Sequence, residues 1–244
     1  MNCFKLLIVD EPKNVKNIEK CLQKQPCSMV TACSGQDAIK IMRSTEIDIL
    51  ISKVDLLDIN GLAMYNAMKD QKPDMHCILI SDTSCRLDSP ECQRLNIIDR
   101  PSNMDIISDC VNRTISQIKQ MQRSKFKILT VEDTKSLLFT QVKMLNKIGF
   151  SNIVTAYNGK QAIELLADMT PPDLIISDWY MPDINGLELL LWVQGNESFK
   201  KTPFIMATSQ KEAMMAIEAG ANHFLIKPYD IKTIEKAIES VLPI

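Results

Sequence analysis

The sequence predicts an α/β chain of two tandem doubly wound (βα)5 domains, each with a five-stranded parallel sheet, and three observations carry that expectation. The 244 residues, 45% hydrophobic and 24% charged, suffice for two ordinary domains with real cores and argue against disorder. The pentapeptide Asp58-Ile59-Asn60-Gly61-Leu62 returns as Asp183-Ile184-Asn185-Gly186-Leu187 at an offset of 125, and Val30-Thr31-Ala32 returns as Val154-Thr155-Ala156 at an offset of 124. Two motifs repeated in the same order, one domain length apart, mark a tandem duplication and not a short-period solenoid. Strand-length apolar runs also alternate with amphipathic stretches in both halves, the pattern of a parallel sheet covered by helices on both faces.

In the first half the strand-like runs are Lys5 to Val9, Met29 to Ala32, Asp48 to Ser52, Cys77 to Ser81 and Asn96 to Asp99. The fourth helix there is expected to be short and poor, because Ser89-Pro90 interrupts it and leaves few residues before Leu95. Met104, Ile107, Val111, Ile115, Ile118 and Met121 recur at mostly three- and four-residue spacing, which predicts one long helix to about Arg123. Only Ser124-Lys125 precede the next strand, so the domains are read as residues 1–123 and 124–244. The second-half strands are Lys127 to Val131, Ile153 to Ala156, Asp173 to Ser177, Phe204 to Ala207 and His223 to Ile226. Its helices are expected at Ser136 to Ile148, Lys160 to Met169, Leu187 to Gly195, Glu212 to Ala219 and Ile231 to Leu242.

Composition excludes several classes. Twenty-eight basic against 30 acidic residues give a net charge of −2, without the basic footprint that nucleic-acid or anionic-membrane binding needs. No apolar run approaches the roughly 20 residues of a membrane span, and the start Met1-Asn2-Cys3-Phe4-Lys5 lacks signal-peptide features. A cytoplasmic chain with no nucleic-acid or membrane partner is expected. Eight cysteines fall in the first half without C-x-x-C pairing, so free thiols are expected and not a disulfide or zinc framework. His76 and His223 are the two histidines, too few for repeated zinc-ligand spacing.

In open parallel sheets the functional crevice lies beyond the carboxyl ends of the strands. Those ends in the second half carry Glu132-Asp133, Asp178, Thr208-Ser209 and Lys227-Pro228. Three carboxylates and one ammonium sum to −2, which repels itself unless a divalent cation compensates. Mg²⁺ suits such a set, with Asp133, Asp178, a backbone carbonyl after Asp178 and waters as its oxygen ligands.

The same residues resemble the receiver domain of CheY-type response regulators. The acid pair Glu132-Asp133, Ser177-Asp178-Trp179-Tyr180-Met181-Pro182 with Gly186, Thr208-Ser209, Ala219-Gly220-Ala221 and Lys227-Pro228 follow the family's order. The resemblance covers the whole half and implies a flavodoxin/CheY-like fold. It also implies that Asp178 accepts a phosphoryl group from a histidine kinase or histidine phosphotransfer protein. By the same resemblance Asp133 holds Mg²⁺ directly and Glu132 through water, beside Asp178 and the Tyr180 backbone carbonyl. Lys227 would neutralise one phosphoryl oxygen and Thr208 would bond another. Phe224 stands at the switch position, so the face of the fourth helix, fifth strand and fifth helix is the expected docking surface for a downstream protein. Thr208 to Lys227 spans 19 residues, short for the family, so the fourth helix there is expected to be trimmed.

In the first half the equivalent positions are Asp10, Glu11, Lys53, Ser81 and Arg100-Pro101. Ile49-Leu50-Ile51-Ser52-Lys53 aligns with Leu174-Ile175-Ile176-Ser177-Asp178 without a gap, placing lysine where the acceptor should be. Two negative and two positive charges cancel, so no metal is required, and an ammonium cannot form an acyl phosphate. This half resembles a pseudoreceiver, a phosphorylation-independent interaction or dimerisation module. Asp55 reads as a loop carboxylate, and Asp58 matches Asp183, which is not the acceptor either.

The expected protein is therefore a two-receiver, effector-free response regulator. It is expected to be no turnover enzyme beyond its own phosphotransfer and slow self-dephosphorylation, with a second copy of the chain as a further candidate partner. One alternative is the N-terminal fragment of a larger regulator carrying a cyclic-dinucleotide or DNA-binding output domain. Another is an Asp-nucleophile phosphohydrolase of the haloacid-dehalogenase type, but that chemistry wants a second Asp where Tyr180 stands. Neither G-x-G-x-x-G nor a G-K-[ST] loop occurs among seven glycines, which disfavours a nucleotide-binding domain.

Overall fold

The computed structural model describes residues 4–25, 27–82, 95–99 and 104–243. The chain divides into two compact units, Asn2–Gln117 and Ile118–Ile244. The first contains β1 (Phe4–Val9), α1 (Pro12–Leu22), β2 (Cys27–Ala32), α2 (Gly35–Ser44), β3 (Ile49–Lys53), α3 (Gly61–Lys69), β4 (His76–Ser81), β5 (Leu95–Asp99) and most of α4 (Asp105–Arg123). Its five strands are all parallel in the order β2-β1-β3-β4-β5. The expected poor helix near Ser89-Pro90 lies outside the described residues.

The second unit contains β6 (Lys127–Val131), α5 (Lys135–Lys147), β7 (Asn152–Ala156), α6 (Gly159–Ala167), β8 (Leu174–Asp178), α7 (Gly186–Gly195), β9 (Phe204–Thr208), α8 (Ala213–Glu218), β10 (His223–Ile226) and α9 (Ile231–Val241). The strand order is β7-β6-β8-β9-β10, the 2-1-3-4-5 order of doubly wound sheets. Alternation along each strand explains the two layers. Leu129, Val131, Ile175, Phe204 and Met206 enter one core with residues of α6, α7 and α8, whereas Ile128, Leu174, Ile176, Ile205 and Leu225 enter another with residues of α5 and α9. Strands buried on both faces read as continuous apolar runs, as these do.

The duplicated pentapeptide builds the same helix start twice. Asn60 and Asn185 cap α3 and α7 with their side-chain oxygens, a role that suits Asn before a helix. In the second copy Glu188 completes a reciprocal capping box. The glycine after each Asn lets the helix start against the backbone leaving the neighbouring strand. A Cβ on Gly61 would stand 2.3 Å from the Lys53 carbonyl oxygen, and one on Gly186 2.0 Å from that of Asp178.

The trimmed helix is present as α8, six residues long. The end of α4 differs from the sequence expectation. Its last six residues, assigned to the first domain on periodicity, pack with the second unit because Arg123 is buried there between Glu235 and Glu239. Cys21, Cys27, Cys33, Cys77 and Cys110 are free thiols among the described residues. Among those residues no helix is long and apolar enough to cross a membrane.

Candidate functional site

The carboxyl edge of the second sheet brings the expected side chains together. Glu132 and Asp133 leave β6, Asp178 closes β8, Thr208 closes β9 and Lys227 follows β10. Carboxylate oxygens of Glu132, Asp133 and Asp178 all lie within 4.8 Å of one another, with Glu132 and Asp178 buried and Asp133 exposed. Lys227 Nζ donates to Glu132 Oε2 at 2.7 Å and pairs with Asp178 Oδ1 at 2.9 Å. The Trp179 backbone N–H donates to the same Oδ1 at 2.8 Å. Thr134 serves the acid pair, its N–H donating to Glu132 Oε1 at 3.3 Å and its hydroxyl to Asp133 Oδ1 at 3.1 Å.

The electrostatics follow from burial and pairing. Desolvation pushes the Glu132 carboxyl above its ordinary value against the opposing pull of Lys227, and the neighbouring Asp178 adds to the rise. Burial pulls the Lys227 ammonium down, but its bonds to Glu132 and Asp178 outweigh that and leave it raised. The ion-pair stabilisation that Lys227 contributes is thus complete below the ordinary lysine range and lost as pH rises through its raised value. Burial also raises the Tyr229 phenol, aided by the charges of Glu132 and Asp178. Thr208 is 1% exposed, and its Oγ1 has no hydrogen-bond partner among the described residues, so a polar atom stands ready for an oxygen-rich group at this edge.

Three close carboxylates with one ammonium fit a hard divalent cation, which takes oxygen ligands and offsets the residual charge. Lys227→Met is expected to tighten Mg²⁺ binding by about tenfold, because the ammonium that repels the cation is removed. Titration followed by Trp179 fluorescence checks this, and weaker binding would refute it.

Tyr180 lies on the loop after β8, and its phenol donates to Glu212 Oε1 at 2.8 Å. Phe224 is half-buried on β10, flanking the buried Leu225. Met214, Met215, Ile217 and Ile226 are exposed on or beside α8 and β10.

Sheet register shows the equivalence of the two edges directly. Lys53 stands opposite Ile80 as Asp178 stands opposite Ala207, so Ser81 corresponds to Thr208. Ser52 and Ser177 each donate to the carbonyl of the following residue at 2.9 Å. Lys53 therefore occupies, in the first unit, the position that Asp178 holds in the second. Its ammonium bridges Glu11 and Asp82, each at 3.1 Å, and these two bonds raise it above the ordinary value. Asp10 is buried and accepts from the Glu11 N–H and the Asn14 amide. Asp82 was missed by sequence reasoning, although its place immediately after a strand end is the signal that selected the other edge residues. Arg100 lies outside the described residues.

Residues 6–106 and 128–239 each match the family described as the response regulator receiver domain. The chemotaxis protein CheY1 of Helicobacter pylori is 31% identical over 119 residues, covering 48% of this chain and 96% of that protein. The chemotaxis protein CheY of Pseudomonas aeruginosa is 30% identical over 118 residues, covering 47% of this chain and 94% of that protein. Among solved structures, the chemotaxis response regulator CheY4 of Vibrio cholerae is similar with a TM-score of 0.45 at 29% identity, covering 48% of this chain and 98% of that one. Two matched segments, two parallel five-stranded sheets and two equivalent strand-end constellations show that the chain belongs to the response regulator receiver family and carries its domain twice in tandem.

Proposed function

We propose that the chain is a response regulator of a two-component or phosphorelay system in which only the second receiver is phosphorylated. Asp178 takes the phosphoryl group from a histidine kinase or histidine phosphotransfer protein, and the modified domain signals by binding a downstream protein. The observation that carries this reading is the contrast at one register position. Asp178 is held between Lys227, the Trp179 N–H and two further carboxylates, whereas Lys53 is neutralised by Glu11 and Asp82.

The chemistry follows from the bonds around Asp178. Its partners fall on Oδ1, which leaves Oδ2 to attack phosphorus in line. An Oδ2–P bond forms as the P–N bond of the donor breaks, and the electron pair of that bond stays on the departing imidazole. Mg²⁺ held by Asp133, Asp178 and the Tyr180 carbonyl, and by Glu132 through water, would screen the charge of the two anions that meet. Lys227 is already paired with Asp178 Oδ1, beside the attacking oxygen, so little reorganisation is required of it. The buried Thr208 hydroxyl then gains a phosphoryl oxygen as its missing acceptor, and its movement makes room for Phe224 to turn inward. The exposed Met214, Met215, Ile217 and Ile226 give the face of α8, β10 and α9 an apolar surface for the downstream partner.

The first receiver serves as an interaction or dimerisation module independent of phosphorylation. In this reading the protein works in the cytoplasm and turns over no external substrate. Acetyl phosphate with Mg²⁺, read by intact mass, tests it. One phosphoryl group is expected on the wild type and on Lys53→Ala, and none on Asp178→Asn. Two groups per chain, or labelling that survives in Asp178→Asn, would overturn the assignment.

A further inference from the structure

We infer that Glu212 is a positioning residue that latches the resting form of the Asp178 site by tying the loop after β8 to the loop after β9. The inference rests on the phosphoacceptor reading above and deepens it. Glu212 Oε1 accepts from the Tyr180 phenol at 2.8 Å, and Oε2 accepts from the Ser209 hydroxyl. Ser209 in turn accepts from the Lys211 N–H at 3.3 Å. One carboxylate thus joins the second residue after Asp178 to the first residue after Thr208.

Thr208 and Ser209 share a peptide unit, so a shift that carries Thr208 toward a phosphoryl group on Asp178 displaces Ser209 as well. That displacement pulls Ser209 from Glu212, whose other oxygen is anchored by Tyr180. The resting arrangement meanwhile keeps the Thr208 hydroxyl buried and unpartnered, an arrangement that needs something to hold it. Helix capping does not compete for Glu212, because it precedes α8 yet its side chain makes no cap bond. The bonds leave their mark on both partners, since the Tyr180 phenol is raised mainly by its bond to Glu212 and the Glu212 carboxyl is lowered mainly by its bond to Ser209.

A contact made only in the resting state disfavours the phosphorylated state by its own free energy. For exposed hydrogen bonds to a carboxylate this corresponds to about a threefold to tenfold change. The test is the affinity for beryllofluoride, a phosphoryl mimic, in Mg²⁺, followed by Trp179 fluorescence on the full chain. Tyr180→Phe and Glu212→Ala are each expected to tighten binding by about threefold to tenfold, and the double variant no further than the stronger single one. Glu212→Gln can still accept from Tyr180 and pair with Ser209, so it is expected to stay near wild type, and Mg²⁺ affinity is expected to be equal in the wild type and the two Glu212 variants. Tightening in Glu212→Ala without tightening in Tyr180→Phe would assign the effect to the charge of Glu212 and overturn the latch. Unchanged affinity in both variants, or effects that multiply, would overturn it too. A wild type that binds no beryllofluoride in Mg²⁺ would refute the phosphoacceptor reading, and the latch with it.

Discussion

Gly186→Ala is expected to destabilise the second receiver by about 3 kcal/mol and to slow its labelling by acetyl phosphate by about a hundredfold. The added methyl would meet the Asp178 carbonyl oxygen at 2.0 Å, its carbonyl carbon at 2.9 Å and Met206 Sδ at 2.9 Å. Backbone cannot yield as the tip of a flexible side chain does, so α7 must move off the end of β8 and take the acceptor's geometry with it. The two tryptophans, Trp179 and Trp192, both lie in the second unit, so their fluorescence in a urea titration reads that unit alone. Gly61→Ala supplies the control. Its methyl would stand 2.3 Å from the Lys53 carbonyl oxygen, so it is expected to weaken the first receiver while labelling of Asp178 proceeds at the wild-type rate. A wild-type urea midpoint for Gly186→Ala would show that the close approach is not a constraint.

Arg123→Met is expected to cost the second receiver about 3 kcal/mol, the range for removing one partner of a buried ionic network. The Arg123 side chain is 5% exposed. It donates to the Ile148 carbonyl at 2.8 Å, to Glu235 at 2.7 Å and to Glu239 at 2.6 Å, and it lies 5.9 Å from the centre of the Phe150 ring. Methionine preserves much of the apolar packing but leaves the carbonyl and both carboxylates without their shared donor. Gly149, with φ of 105°, adds to the same junction: a side chain there would meet the Gln120 backbone at 3.2 Å. Arg123→Lys is expected to recover only part of the loss, because one ammonium cannot reproduce a planar fork that serves three acceptors. A fragment beginning at residue 124 is expected to unfold at lower urea than one beginning at residue 118. Equal midpoints for the two fragments would show that the last turn of α4 contributes nothing to the second receiver.

Much of the site was legible because the residues that compose it are the first polar groups after apolar strands. Glu132, Asp133, Asp178, Thr208 and Lys227 follow that rule, and parallel strands deliver such positions to one edge whatever their separation in the chain. The substitution at Lys53 was legible for a related reason, since an ungapped strand alignment leaves no freedom of register. Its partners were less so. Charge counting set Lys53 against Asp10 and Glu11, whereas the structure pairs it with Glu11 and Asp82 and gives Asp10 to a backbone N–H and an amide.

The duplication, the order of strands and helices in the second half, the polar residues that cluster at that half's carboxyl edge and the lysine at the position equivalent to Asp178 were all readable from the chain alone. Each of these is written in a local period or an ungapped repeat, and burial alternation converts it into a face or an edge. Three features emerge only once the chain is folded: the last turn of α4 belongs with the second receiver, Asp82 closes the first site and Glu212 joins Tyr180 to Ser209. These depend on side chains of different elements meeting within about 3 Å. Arg123 and Glu239 are 116 residues apart, and no period along the chain encodes which carboxylate a distant guanidinium will reach.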